Sequence, residues 1–318
     1  MRGRSIAIAL GLILVPSLVV GQTVRRRPSM VGYVGDATIA SQVRVRFDAG
    51  SGIDAVDRAE FFYGKCGCYR GLPTNHPGYD PDAPGPGPGV VTDLDFRQLN
   101  VLAEIAAIPD RLSIFAEVPF RWIRPQAFVA GTGSFPNQSG LSDVRVGSKL
   151  AVVSTALTTL SLFVQAALPT GKSEKGLGTD HVSIEPALLL HQTAGERLAV
   201  EAQFGGVIPL SSSAGVPTAT GKDFAGNILY YGIGPSLEVT SGDSFRLAPV
   251  AELVGWRVLS GHETASGKDI SGLNIVNLKL GGRLVFGGRT SFYAGYGFAL
   301  TDAKWYDKIL RVEFRQSL

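Results

Sequence analysis

Apolar and polar residues alternate along most of the chain with the two-residue period of a β-strand. In residues 111–122 the apolar face consists of Leu112, Ile114, Ala116, Val118, Phe120 and Trp122. Similar alternation recurs over 97–107, 142–154, 158–168, 181–191, 197–209, 227–240, 245–258, 273–287, 290–301 and 308–318. These segments exceed the usual 5–6 residues of soluble strands and reach the 9–11 that cross a bilayer at a tilt. The pattern predicts strands that span a membrane.

Short and long connections follow one another in strict order. The short ones are residues 108–110, 154–157, 192–196, 241–244 and 287–290, and the long ones are 69–96, 123–141, 169–180, 210–226, 259–272 and 302–307. Outer-membrane barrels have short periplasmic turns and longer extracellular loops. We therefore expect loops 123–141 and 210–226 outside the cell and the 192–196 turn in the periplasm. A soluble β-sandwich or secreted barrel is the alternative.

The fold class predicted is all-β, an antiparallel transmembrane β-barrel of about twelve strands. Starting at residues 58–68, twelve strands leave both ends in the periplasm, as an even number requires. Residues 39–48 also alternate and form a candidate extra strand, which would demand a fourteenth. The predicted organisation is an N-terminal segment over 22–57 and a barrel over 58–318, with fourteen strands left open.

The N-terminus and the composition determine the compartment. Residues 1–21 have the basic, apolar and small-residue regions of a cleaved signal peptide. Beyond residue 21 no apolar run approaches the ~18 residues of a membrane-spanning helix. Only 18% of the residues are charged and the formal net charge is +3, which argues against nucleic acid as a partner. We expect a protein of the cell outer membrane.

Charged residues fall on the face opposite the apolar one, at the middle of nearly every strand. A charge on the lipid face costs roughly 2–4 kcal/mol for Arg or Lys at the midplane, so these groups are predicted to line the lumen. They are Glu104, Glu117, Arg145, Lys149, Glu185, Glu201, Glu238, Glu252, Lys279, Arg283 and Glu313. They could form a salt-bridge network that plugs the barrel or line a hydrated passage, and the sequence leaves both open.

Two of these carboxylates are expected to be neighbours. Pairing strands 181–191 and 197–209 about Ala194 predicts that Glu185 lies near Gln203 and diagonal to Glu201. Two carboxylates in a confined barrel repel each other, so the pair requires a compensating base. The candidates are Arg197, Arg145 and Lys149.

One group of residues is a candidate catalytic site. His181, Ser183 and Glu185 lie two residues apart on one face of a strand, and a His-x-Ser pair near a carboxylate resembles outer-membrane lipid A deacylases. In those enzymes the pair faces lipid, whereas the alternation here points His181 and Ser183 inward. We therefore predict that the protein is not an enzyme. The alternative is a lipid hydrolase or deacylase that uses His181 and Ser183.

Cys66 and Cys68 are the only cysteines. Cysteines in an oxidising compartment usually pair, and Gly67 permits the bend that a disulfide between them requires. A disulfide and free thiols both remain open. No further Cys or spaced His accompanies them, so neither a metal site nor any cofactor is predicted.

A family resemblance rests on the strand and loop that follow residue 139. Gly140-Leu141-Ser142-Asp143, then Leu168-Pro169-Thr170-Gly171, then Gly176-Leu177-Gly178 and Glu185-Pro186 resemble the phenol-degradation meta-pathway family of outer-membrane transporters. The likeness covers roughly residues 97–318. It implies a barrel that passes small hydrophobic or aromatic compounds, and it supplies no catalytic residues. Expected partners are outer-membrane lipid, the barrel-assembly machinery and a small solute; no oligomeric state is predicted.

Overall fold

A computed structural model describes residues 27–54, 75, 90–131, 134–179, 181–210, 225–241, 245–262 and 268–318. The signal peptide predicted over residues 1–21, the strand predicted over 58–68 and the Cys66–Cys68 segment lie outside the described residues. No described helix is long and apolar enough to cross a membrane.

The described chain is built almost entirely of β-strands. In chain order they are β1 Gln42–Ile53, β2 Val91–Ile108, β3 Leu112–Phe128, β4 Gln138–Leu141, β5 Val144–Ser154, β6 Thr158–Leu168, β7 Ser183–Ala194, β8 Leu198–Pro209, β9 Ile228–Leu237, β10 Thr240–Ser241, β11 Phe245–Val258, β12 Asn274–Phe286, β13 Thr290–Ala299 and β14 Lys308–Ser317. A short 3-10 turn, Ser173–Lys175, lies between β6 and β7.

Twelve of these strands close into an antiparallel barrel, which confirms the predicted fold class. Each pairs with its neighbours in the chain, and β1 completes the ring by pairing with both β14 and β2. The short β4 pairs with β3, and the short β10 pairs with β11. The first strand of the ring is therefore β1, the segment that the sequence offered as the extra strand 39–48.

Side chains alternate between the two surfaces of the wall. On β3, Ile114, Val118 and Trp122 are exposed on the outside, whereas Ser113, Glu117 and Arg121 are buried. One outward row crosses four strands through the paired positions Phe47, Leu99, Phe120 and Leu141. A continuous apolar outer surface of this kind is stable against lipid chains, and ring closure leaves no unpaired strand edge in the bilayer. The protein is an outer-membrane barrel.

The two rims differ in the length of their connections. At the rim that holds both ends of the ring, β2 and β3, β5 and β6, β7 and β8, and β12 and β13 are joined by three-residue turns. In two of these turns, Gly195 (φ 68°) and Gly287 (φ 55°) adopt the left-handed conformation, which costs glycine little. The longer connections are at the opposite rim, as the sequence predicts, and that rim is extracellular by the layout of outer-membrane barrels.

Candidate functional site: the lumen and the segment that occupies it

The chain before β1 lies inside the barrel. Residues 29–38, named here the luminal segment, contact wall strands on opposite sides, such as β6 and β14, and Met30, Val31 and Ala37 are fully buried. The segment has no strand partner, so its backbone N–H and C=O groups must be satisfied by side chains of the wall. The buried charges of the barrel meet that requirement.

Two glutamates accept the N–H groups of the luminal segment. Glu201 accepts from Met30 at 2.9 Å and more weakly from Val31 at 3.4 Å. Glu252 accepts from three consecutive residues, Gly32 at 3.0 Å, Tyr33 at 2.8 Å and Val34 at 2.6 Å. Gln203 continues the series by accepting from Gly35 at 2.7 Å. Hydrogen bonds to a charged acceptor are stronger than neutral ones, so each glutamate holds several positions of the segment.

Basic side chains donate to the carbonyls of the same segment. Arg283 donates to the carbonyls of Met30 and Val31, at 3.1 and 2.7 Å. Arg311 donates to the carbonyl of Gly32, and Lys149 donates to Asp36 at 3.3 Å and Thr38 at 2.6 Å. The Ser161 hydroxyl donates to Ala37 at 2.6 Å. The wall thus provides the hydrogen bonds that a neighbouring strand would provide elsewhere.

Apolar packing holds one side of the segment. Met30, Val31 and Val34 form a buried cluster with Ala248, Val250, Val254, Val285 and Tyr293. Tyr33 meets Tyr293 edge to face at 6.2 Å, and the Lys279 ammonium lies 3.9 Å from the centre of the Tyr33 ring. The Lys279 ammonium also donates to the Tyr306 hydroxyl at 2.6 Å. Lys279 is therefore satisfied by aromatic groups, without a carboxylate as its closest partner.

The remaining charges of the lumen form linked ion clusters. Glu117 pairs with Arg145 at 2.7 Å, Arg46 at 3.5 Å and Arg44 at 3.9 Å. Glu313 pairs with Arg283 at 2.7 Å and Arg315 at 3.0 Å.

Two further pairs extend these clusters. Arg315 reaches Asp36 of the luminal segment at 2.9 Å, and Arg311 binds both oxygens of Asp48 at 2.6 and 3.0 Å. Each carboxylate has several partners, so loss of one base leaves other charges buried and poorly paired.

The structure places the residues predicted to line the lumen as follows. Arg145 and Glu185 are half-buried. Buried residues are Glu104, Glu117, Lys149, Glu201, Glu238, Glu252, Lys279, Arg283 and Glu313. Six further charged groups belong to the same clusters without having been singled out in the sequence: Asp36, Arg44, Arg46, Asp48, Arg311 and Arg315. Five of them share the alternation of β1 and β14, which would have found them, whereas nothing in the sequence marks Asp36.

The expected proximity of Glu185 and Glu201 is wrong. The strands β7 and β8 pair with Leu189 opposite Gln203 and His191 opposite Glu201, because the turn occupies residues 195–197 rather than being centred on Ala194. Of the candidate bases, Arg197 is exposed at this turn. Glu201 lies 3.7 Å from His191, and Glu185 accepts from Gln165 at 2.6 Å. The register shift of four residues separates the two carboxylates along the barrel axis.

Space remains between the luminal segment and the wall. A cavity of about 400 Å³ lies beside Gly32–Asp36, and the charged groups of its lining include Arg46, Glu117 and Glu185. The other lining groups include Phe115 and Phe163, whose rings stack at 5.5 Å. A second cavity of about 190 Å³ shares part of its lining with the first. The lumen is therefore filled in part and retains a space with charged and aromatic walls.

The candidate catalytic pair faces this interior. His181 and Ser183 are both buried and line the larger cavity, and the His181 Nδ1 atom is 2.8 Å from the Thr179 carbonyl oxygen. A lipid acyl chain on the outside of the wall does not reach these groups. Their position is the reverse of what a lipid substrate in the bilayer requires.

The residues of the family motif meet at the extracellular rim. Asp143 accepts from the Gly171 N–H at 3.0 Å and from both the N–H and the hydroxyl of Thr179 at 2.8 Å. The Thr170 hydroxyl donates to the Ser142 carbonyl at 2.9 Å. A side chain at Gly178 would press on Asp143, so glycine is needed there. The motif joins the loop after β6 to the start of β5 and has a structural role.

Comparison with known proteins agrees with this architecture. Residues 95–303 match the family described as "Putative MetA-pathway of phenol degradation". An outer membrane channel from Pseudomonas putida F1 has a similar fold, with a TM-score of 0.53 and 14% identity over 88% of this chain and 96% of that one. The β-domain of the Bordetella autotransporter BrkA follows, with a TM-score of 0.50 and 12% identity over 88% and 100%. No curated protein sequence is significantly similar.

Proposed function

The chain belongs to the phenol-degradation meta-pathway family, and on this premise we propose that it is an outer-membrane channel for small hydrophobic or aromatic compounds. The luminal segment is the element that controls passage. No catalytic step is part of this proposal, because the His181 and Ser183 side chains are directed away from lipid.

The observation that carries the proposal is the pair of adjacent cavities beside the luminal segment. Their volumes are about 400 and 190 Å³, and a cavity of about 150 Å³ is enough for benzene. Phe115, Phe163 and Trp256 provide apolar surface for a ring, and the surrounding charges provide partners for a hydroxyl group. A small aromatic solute therefore fits the space that the segment leaves free.

The control function follows from how the segment is held. Its backbone is bound by side chains, and water can replace each of those hydrogen bonds when the segment moves away from the wall. The apolar cluster around Val34 favours the inserted position. Displacement of residues 29–38 would join the cavities to the periplasmic end of the barrel.

A reversible lock tests the proposal. A Cβ atom at Gly232 would lie 3.2 Å from the Val34 side chain, so the variant Val34→Cys/Gly232→Cys is suited to disulfide formation. Cys66 and Cys68 are both replaced by Ser to remove other thiols. Conductance in planar bilayers and uptake of a small phenol into liposomes are measured before and after reduction, with the single Val34→Cys variant as control.

Reduction is expected to raise both conductance and phenol uptake in the double variant and to leave the single variant unchanged. Equal conductance in the oxidised and reduced states would reject the luminal segment as the controlling element. Absence of both conductance and uptake in the reduced protein and in the control would reject the channel itself.

A further inference from the structure

A basic patch lies on the outer surface of the barrel, on the side of β1, β2 and β3 that faces lipid. Arg97 on β2 pairs with Ala49 on one side and with Trp122 on the other, and Trp122 pairs with Ser139 of β4. Arg124 follows on the same face of β3, opposite Asp95. Both arginines are exposed. This patch is distinct from the lumen and independent of the proposed channel function.

The patch lies at the level of the lipid headgroups. The outward side chains of β3 are apolar from Ile114 through Val118 to Trp122, and Arg124 is the first charged one. Ten residues of a strand tilted by about 40° rise about 25 Å along the membrane normal, which is the height of the apolar band of such barrels. Trp122 packs on Phe120 at 4.6 Å, as in an aromatic girdle at the interface. The patch therefore belongs to the extracellular leaflet.

The wall places one carboxylate, that of Asp95, beside the two arginines of the patch, so two positive charges face one negative charge. Among the described residues, neither Arg97 nor Arg124 forms an ion pair or a side-chain hydrogen bond. The nearby Asp95 accepts hydrogen bonds from the Gln126 amide at 3.0 Å and from the Gly52 N–H at 3.4 Å. Its oxygens bind these two groups and not the arginines, so both guanidinium groups stay available for an external anion and the patch keeps a net positive charge.

The surface around the arginines is concave. A depression of about 620 Å³ has Arg97, Arg124, Trp122 and Asp95 in its wall, with Phe47 below and the polar residues Asn137, Gln138 and Ser139 at its side. The row directly below it is the apolar row through Leu99 and Phe120. An occupant of this depression would meet guanidinium and amide donors at its head and apolar side chains beneath.

We propose that this depression binds the phosphate-bearing headgroup of a glycolipid of the outer leaflet, of the lipid A type. The planar guanidinium groups of Arg97 and Arg124 match phosphate oxygens in two-point hydrogen bonds, and Asn137 and Ser139 provide partners for sugar hydroxyls. The acyl chains of the same lipid extend over Phe47, Leu99 and Phe120. A soluble anion would gain nothing from that apolar row, and this favours a lipid.

Binding to purified full-length protein in detergent tests the site. Hexa-acylated lipid A and its dephosphorylated form are titrated, and bound lipid is measured by native mass spectrometry. The variants are Arg97→Gln/Arg124→Gln and, as a matched control, Arg257→Gln, which removes an exposed outward arginine near the same rim on β11. Heat-modifiable gel mobility establishes that each variant is folded, and Arg97→Lys/Arg124→Lys serves if the glutamine variant does not fold.

Lipid A is expected to bind the wild type and Arg257→Gln alike, and at least tenfold more weakly to the double glutamine variant. The lysine variant retains the charge without the planar geometry and should show an intermediate affinity. Dephosphorylated lipid A should bind all variants equally weakly. Unchanged affinity in the double variant, equal binding of the dephosphorylated lipid to the wild type, or an equal loss in Arg257→Gln would overturn the proposal.

Discussion

A carboxylate oxygen of Glu201 accepts the backbone N–H of Met30 at 2.9 Å, although the two residues are 171 positions apart. Both are completely enclosed by the barrel. This hydrogen bond joins the wall to a segment that forms no strand, and together with the contacts of Glu252 and Arg283 it explains why so many charges lie inside a narrow barrel. They bind a peptide backbone in addition to one another.

Removal of the Glu252 carboxylate should release the luminal segment. The variant Glu252→Ala leaves the N–H groups of Gly32, Tyr33 and Val34 without an acceptor, at a cost of about 3 kcal/mol in the free energy of unfolding. We expect a lower melting temperature and a higher single-channel conductance. Glu196→Ala at an exposed turn is the control, and conductance equal to wild type in Glu252→Ala would show that the segment stays in place.

Addition of one methyl group at Gly32 should also displace the luminal segment. The ring of Tyr293 occupies the position that a Cβ atom at Gly32 would take, so Gly32→Ala is expected to push the segment away from the wall. Gly282→Ala is a matched control, because a Cβ atom there has its nearest neighbour at 3.5 Å. Conductance should rise in Gly32→Ala only. Identical traces for the two variants would contradict the packing described here.

The two glutamates of β7 and β8 should behave differently. Glu185 is half-buried at the cavity, so Glu185→Gln should shift ion selectivity towards anions with little change in melting temperature. Glu201 is fully buried and binds Met30, so Glu201→Gln should lower the free energy of unfolding by about 1–3 kcal/mol. Reversal potentials under a salt gradient and thermal melts separate the two effects. Altered selectivity in Glu201→Gln together with a lower melting temperature in Glu185→Gln would contradict this prediction.

The orientation in the membrane can be tested with introduced thiols. Ser271 lies exposed at the rim with long connections, and Glu196 lies exposed in a short turn. In a background without Cys66 and Cys68, a membrane-impermeant maleimide should label Ser271→Cys on intact cells and Glu196→Cys only after permeabilisation. Labelling of Glu196→Cys alone on intact cells would show that the barrel has the opposite orientation.

The loop anchored by Asp143 gives a final prediction. Asp143→Ala removes the acceptor of Gly171 and Thr179, so the connection between β6 and β7 should become more accessible to added protease. The barrel itself should remain heat-modifiable on gels, because β5 and β6 pair along their length. Unchanged protease sensitivity would show that Thr170 is sufficient to hold the loop.

Alternation and the lengths of the connections are enough to predict the barrel, the face of each strand that meets lipid and the identity of the two rims. Alternation is a local property: once Ile114 faces lipid, Ser113 must face inward, and no distant contact can change that. The order of short and long connections likewise determined the extracellular end. Alternation does not locate the centre of a turn. A displacement of the turn centre by two residues from Ala194 shifts the partner of Glu185 by four residues.

The content of the lumen depends on contacts that form only in the folded barrel. Residues 29–38 have no alternation of their own, and their position depends on Glu201, Glu252 and Arg283, each at least 170 positions along the chain from the residues that it binds. The role of β1 was decided in the same way, because closure depends on its simultaneous pairing with β14 and β2. Such relationships arise when distant strands enclose a common space, and they cannot be predicted from the pattern of neighbouring residues.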